Sequence, residues 1–209
     1  MELRDANALL EPGHLTMESG YTRLSDGQLH VANWTTMPGC TGRMVDWWFG
    51  YLETTEQYKW WHPKDHVWCE WVGERGTGSY VGGTHNVHEY IGGELQKLRI
   101  NFRDPSAYLD ASRFEQAGIT AAVCARVGLL EAPVWAGHLI HLCRDTDYGC
   151  EMRSRFWLGD ADPPEIAPDA EARSKLFPDR SGEGLLRHCH EEVTYLAGFL
   201  PSLYEREVR

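Results

Sequence analysis

The chain has 209 residues, 42% hydrophobic and 24% charged, with a formal net charge of −11. That length suits one domain with a real core, and the composition excludes disordered, collagenous and fibrous classes. The acidic balance argues against a nucleic-acid partner, which needs a basic face, and against docking on an anionic membrane. Nine Trp and nine Tyr suit a lined pocket as well as a core. None of the six cysteines forms a C-x-x-C pair or falls on a zinc-finger spacing. The start, MELRDANALLEPGH, lacks the basic and apolar regions of a secretory signal, and no run of about 18 apolar residues follows. The expectation is a cytoplasmic protein with reduced thiols.

Residues 1–19 read as a loosely held lead-in. Tyr21–Leu24 and Leu29–Trp34 read as strands joined through the hairpin signal Asp26-Gly27. A lead-in with a hairpin over 1–36 is thus expected before a main catalytic domain over 37–209, the whole forming one compact unit. Met44, Trp47, Trp48, Tyr51 and Leu52 follow at helical spacing. Thr54 with Gln57 can cap a second helix that carries Tyr58 and stops at Pro63. His66–Val72 reads as a strand. Gly73–Gly93, with seven glycines, reads as an irregular loop or open ribbon.

Glu94–Arg103, Gly118–Leu130, Val134–Arg144 and Tyr148–Leu158 are long strand-like segments with short links, which imply an antiparallel meander. The Asp/Pro-rich stretch Asp160–Arg180 fits neither a regular strand nor a long helix. A helix from about Ser181 to Arg206 closes the chain, limited or kinked by Pro201. An α+β fold, a curved antiparallel sheet gripping the last helix, would bury all these apolar faces and leave a cavity between them.

Helical spacing sorts the polar residues of LLRHCHEEVTYLAGFL. His188 and Glu192 share the arc of Leu185, Cys189, Val193 and Leu196; His190 and Glu191 face water. A carboxylate on a buried face is costly unless paired or bound to a metal. An imidazole and a carboxylate one turn apart suit two ligands of one divalent ion; the plainer alternative is a hydrogen bond to each other or to a neighbour. Glu94 alternates in register with Leu98, Ile100 and Phe102, so it reads as a second inward carboxylate, unless the strand end frays into water.

His66 lies where a turn becomes a strand, a rigid place for a ligand, and Tyr58 is placed to reach the same space as a proton donor. His62, His85 and His88 are its rivals. His138 and His141 alternate to opposite faces, so one of them points inward. Arg153 and Arg155 read as an outer-face ion-pair ladder with Glu151. No nucleophile elbow, catalytic-cysteine signature or dinucleotide fingerprint is present.

The runs Y-K-W-W-H-P-K-D-H, G-C-E-M-R-S-R-F-W-L-G and H-C-H-E-E-V-T-Y-L-A-G-F-L-P resemble, in that order, the diacetylphloroglucinol hydrolase / phloretin hydrolase family, from about Met37 to Tyr204. The resemblance implies a helix-grip (Bet v 1/START-like) fold. It also implies one divalent metal, zinc first with manganese or iron as alternatives, held by two His and two Glu. The ligands it implies are His66, Glu94, His188 and Glu192. Glu94 fits only with a small deletion. Tyr58 is the implied functional tyrosine, eight residues before His66. His141 or His138 is a further pocket histidine, with spacing slightly favouring His141.

The implied reaction is hydrolysis of the carbon–carbon bond between an acyl group and a phloroglucinol-like ring, as in secondary metabolism. The expected partner is a small aromatic or polyketide substrate, with no nucleic acid and no membrane, and homo-oligomerisation is left open. Two alternatives stand beside it: a metal-dependent lyase, isomerase or cyclase, and a non-enzymatic carrier of apolar ligands.

Overall fold

The computed structural model describes residues 1–73 and 79–208. Its strands are β1 Gly20–Arg23, β2 Leu29–Pro38, β3 His66–Val72, β4 Thr84–Ile91, β5 Glu94–Arg103, β6 Ile119–Leu129, β7 Trp135–Thr146 and β8 Gly149–Asp162. They form one antiparallel sheet in the order β1-β2-β8-β7-β6-β5-β4-β3. Helices α1 Gly42–Tyr51 and α2 Thr55–Trp61 link β2 to β3; α3 Ala170–Leu176 and α4 Asp179–Val208 follow β8. The sheet grips α4, as the element order implied. The expected boundary at 36/37 falls inside β2, so nothing divides the chain there.

Local chemistry explains the placements. Thr54 and Gln57 form a reciprocal capping box at the start of α2, which satisfies backbone donors left open by any helix start. Pro201 lies inside α4 without ending it. Of the segment read as a glycine-rich loop, 74–78 lie outside the described residues, while Thr84–Ile91 is a full strand paired with both β3 and β5. Gly92 and Gly93, both at positive φ, make the tight turn into β5, a conformation open to glycine at little cost. The Asp/Pro-rich stretch splits between the end of β8, a 3-10 turn at Pro164–Ile166 and the short α3.

Alternation builds two cores. Inward residues such as Val31, Met37, Val123, Leu139, Met152 and Phe156 pack with Val193, Leu196 and Leu200 of α4. Outward residues Ile140, Leu142 and Trp157 form a second cluster with Ala6, Leu9 and Leu10 of the lead-in. The lead-in is therefore not loose: a 3-10 helix over Leu3–Leu10 covers the outer face of the sheet. Burial on both faces explains why the centre of β8 is buried without interruption.

Arg153 and Arg155 do point outward, but under this cover, 1% and 0% exposed. Their partner is Glu18, which takes Arg153 Nη2 at 2.5 Å and Nε at 3.1 Å and a close contact from Arg155 Nη2. Glu151, the expected partner, instead accepts from Trp34 Nε1 at 3.0 Å. Burial alone would raise the Glu18 carboxyl; Arg153 and Arg155, with the Leu15 backbone N–H, overcome that and hold it below the ordinary carboxylate range. Among the described residues no helix is long and apolar enough to cross a membrane.

Two stability tests follow. Glu18→Ala strands two buried guanidinium groups that keep only backbone acceptors, and should lower unfolding free energy by on the order of 2–3 kcal/mol. Denaturant titration at neutral pH measures it, and a loss below about 0.5 kcal/mol would remove Glu18 from the account of how the lead-in is held. Gly184 of α4 sits so close to the β4–β5 turn that an added Cβ would lie 2.7 Å from Gly92 Cα. Alanine is the better helix former by about 1 kcal/mol, so Gly184→Ala should stabilise unless this clash dominates. We expect net destabilisation of about 1 kcal/mol or more, because overpacking costs roughly 1–3 kcal/mol.

Candidate metal centre

Three elements aim side chains at one point inside the grip. The His62–Asp65 turn between α2 and β3 closes with His66 N–H donating to His62 O at 3.0 Å, which starts β3 on His66. On β4, His85, Val87 and Glu89 are the buried, inward positions. On α4, His188 and Glu192 lie one turn apart on the buried arc, as helical spacing required.

His66 Nε2 stands 3.7 Å from Glu89 Oε2 and 3.7 Å from Glu192 Oε2. His188 Nε2 stands 3.9 Å from Glu89 Oε2 and 4.0 Å from Glu192 Oε2. All four residues are at most 7% exposed. Four donors about 2.1 Å from one tetrahedral ion stand roughly 3.4 Å apart; these imidazole–carboxylate separations are a little longer, and the ligand atoms of His66, Glu89 and His188 all lie within 4.8 Å of one another. His66 Nε2 is buried without a hydrogen bond. Its Nδ1 donates to Tyr58 O at 2.9 Å, so the lone pair on Nε2 faces the shared point. The donor set fits a divalent cation, which would satisfy the stranded nitrogen and both buried carboxylates.

Electrostatics agree. Burial, reinforced by the like charge of Glu89, pushes the Glu192 carboxyl up to about 8 despite His188 nearby. Burial, then His188, holds His66 well below its usual value. His188 goes the other way: burial would lower it, but Glu89, Glu192 and Asp65 outweigh that and raise it. The bare site thus favours a proton on His188, and a bound cation would displace it.

Three of the four expected ligands, His66, His188 and Glu192, meet here; Glu94 does not. It is exposed at the first position of β5, opposite Ile91. The inward carboxylate is Glu89, five residues earlier, inside the segment read as loop. Its signal was present: T-H-N-V-H-E-Y-I alternates, with His85, Val87 and Glu89 on one side.

Tyr58, buried in α2, stacks on His66 with ring centroids 3.7 Å apart and donates a short hydrogen bond to Glu89 Oε2. Burial first, then Glu89, raises its hydroxyl well above the usual value, so it keeps its proton. Of the two β7 histidines, His141 is the inward one, with Nδ1 2.7 Å from Ser154 Oγ, and burial lowers it to about 4. His138 faces outward into a network with Tyr108, Arg126 and Asp160 and takes no part in the cavity. His88 is outward beside Trp68. His62 stacks on the far side of His188 with centroids 4.9 Å apart. His190 is exposed, as expected.

A cavity of about 60 Å³ adjoins the cluster; Phe49, Ile100, Phe102, Leu139 and Phe156 form its apolar wall, and Tyr58, His85, His141, Glu89, His188 and Glu192 its polar side. His85, one of the rivals to His66, is 3% exposed, edge-on to Tyr58, and lines the cavity.

Comparison with known proteins gives the same direction. The 2,4-diacetylphloroglucinol hydrolase of Pseudomonas protegens is 31% identical over 222 residues, covering 97% of this chain and 72% of that protein. The phloretin hydrolase of Eubacterium ramulus is 29% identical over 208 residues, covering 90% and 72%. Among solved structures, Ms6760 of Mycobacterium smegmatis aligns with a TM-score of 0.50 at 12% identity over 88% of this chain and 98% of that one. Ara h 8.0201 aligns with a TM-score of 0.50 at 12% identity over 84% and 99%; these two likenesses concern the fold. A family model described as DAPG hydrolase PhiG domain matches residues 1–205, and the chain belongs to that family.

Proposed function

We propose that the protein is a metal-dependent hydrolase that cleaves the carbon–carbon bond between an acyl group and a phloroglucinol-like ring. One observation carries the metal: inside an apolar hollow each of two imidazole nitrogens stands 3.7–4.0 Å from each of two carboxylate oxygens, and the ligand atoms of His66, Glu89 and His188 all lie within 4.8 Å of one another. His66, Glu89, His188 and Glu192 would hold the ion, with zinc the first choice for this set and manganese or iron also suited to carboxylates. The ion would polarise the acyl carbonyl and lower the pKa of a water. Family membership and the two named hydrolases support the substrate class.

The chain's own groups supply the rest. The wall of Phe49, Phe102 and Phe156 takes the flat ring and excludes bulk water. His141, neutral at physiological pH, accepts a ring hydroxyl proton and so favours the keto tautomer of the ring. Water adds to the acyl carbon, the bond to the ring breaks, and its electron pair enters the ring. The proton returns to that ring carbon from His141, which is left neutral again, while Tyr58, whose hydroxyl keeps its proton, stays hydrogen-bonded to Glu89. Water plus acylated ring gives a carboxylic acid plus the deacylated ring. At about 60 Å³ the cavity is smaller than the roughly 300 Å³ of a typical ligand site, so the wall must part when the ring enters.

Incubation with 2,4-diacetylphloroglucinol and phloretin should release a carboxylic acid and the deacylated ring, read by chromatography; loss of substrate without an acid product would sink the hydrolytic outcome. Elemental analysis should find about one divalent ion per wild-type chain and less than a tenth of that in His188→Ala. Glu89→Gln should lose metal and turnover alike, whereas Glu94→Gln should match wild type. The reverse pattern in that pair would return the ligand role to Glu94.

A further inference from the structure

On the solvent side of His188 lies a second group of polar atoms outside the four proposed ligands. His188 Nδ1 is 3.3 Å from Asp65 Oδ2. His62 Nε2 is 3.5 Å from Asp65 Oδ2 and 3.3 Å from Glu191 Oε2. The His62 side chain is 0% exposed, and its ring lies parallel to that of His188, with an interplanar angle of 4°. By donor type alone, His62, Asp65 and His188 would make a second cation site.

The hydrogen bonds argue otherwise. Asp65 N–H donates to His62 Nδ1 at 3.1 Å. That bond uses the Nδ1 lone pair, so in the neutral ring the proton sits on Nε2, a buried nitrogen near both carboxylates that makes no hydrogen bond of its own. With Nδ1 accepting and Nε2 protonated, the neutral His62 ring has no lone pair free for a second ion. Asp65 is held two ways: by the N–H it gives to His62 and by its carbonyl, which accepts from Tyr90 N–H at 2.9 Å. So held, Oδ2 accepts from His188 Nδ1–H, which leaves the Nε2 lone pair of His188 aimed at the cluster.

We propose that Asp65 and His62 form a clamp that sets the tautomer and ring plane of His188: Asp65 fixes its edge by a hydrogen bond and His62 fixes its face by stacking. Both are positioning residues, and neither touches metal or substrate. The proposal rests on the reading of His66, Glu89, His188 and Glu192 as a metal site. His66 is oriented by a backbone carbonyl that no side-chain change removes, so Asp65 is the orienting contact open to mutation.

The test is the zinc dissociation constant of the metal-free protein, by competition with a chromophoric chelator, together with zinc stoichiometry and the melting temperature of the metal-free form. Asp65→Asn can turn an amide N–H toward Nδ1 and favour the wrong tautomer. It should weaken zinc binding 10–100-fold, the range typical for loss of such an outer contact, while the metal-free melting temperature stays within a few degrees. His62→Phe keeps a stacked ring but loses the hydrogen bond from Asp65 N–H, and should weaken binding by a smaller factor in the same direction. If Asp65→Asn does not fold, His62→Phe decides alone. Binding within threefold of wild type in the folded variants overturns the clamp while leaving the four-ligand site standing. Two zinc ions per wild-type chain, falling to one in Asp65→Asn with the tighter constant unchanged, overturns it in favour of a second cation site. A wild type that binds no metal overturns both readings at once.

Discussion

The constraint on which everything else turns is that Glu89 and Glu192 share an apolar hollow in which, among the described residues, no Lys or Arg forms an ion pair with either. The protein groups that face them are two imidazoles and the Tyr58 hydroxyl, and burial pushes Glu192 toward its neutral form. His188 answers partly, by taking up a proton; His66 does not, because its burial and its neighbours keep it neutral. Such an arrangement is poor as a stability device, since apolar side chains of similar volume would fill the space at less cost. It makes sense as a receptacle whose complement arrives from outside. The sheet, the grip on α4, and the turn before β3 all serve to hold four donors at a separation they would not choose for themselves.

The chemistry divides along the same line. Part of the cavity lining is charged or chargeable; the rest is phenyl rings and aliphatic side chains. His141 and Tyr58 stand where the two halves join, one neutral and basic, the other holding its proton tightly. A group that accepts and a group that retains a proton, both lining one cavity, suit the proton exchange that the proposed cleavage requires. Two carboxylate ligands also temper the Lewis acidity of any ion they hold, which demands a leaving group already disposed to carry negative charge.

Much of this was legible in the sequence, for reasons that can be named. Helical periodicity separated His188 and Glu192 from His190 and Glu191, because α4 is long, amphipathic and packed along one side. Strand alternation assigned Arg153 and Arg155 to the outer face and limited the choice between His138 and His141. The failures were local. Glycines at 82, 83, 92 and 93 masked β4, although its alternation was intact, and with β4 unread the inward carboxylate was placed on Glu94 rather than Glu89. Glu18 was out of reach for another cause: it meets Arg153 from 135 positions away, and no local pattern encodes such a pairing. Asp65 was visible as a residue but not as a partner, since its role depends on where a helix 123 residues later comes to rest.

The meeting of Gly92 with Gly184 bears on which cations the centre would admit. Glu89 lies three residues before the first glycine and His188 one turn beyond the second, so this backbone-on-backbone touch lies close to both. Side chains yield by rotating; main chain pressed against main chain hardly yields at all. The aperture between strand and helix is thereby given a hard stop, and a change of ionic radius would have to be accommodated at these two small residues before any of the four donors was exchanged.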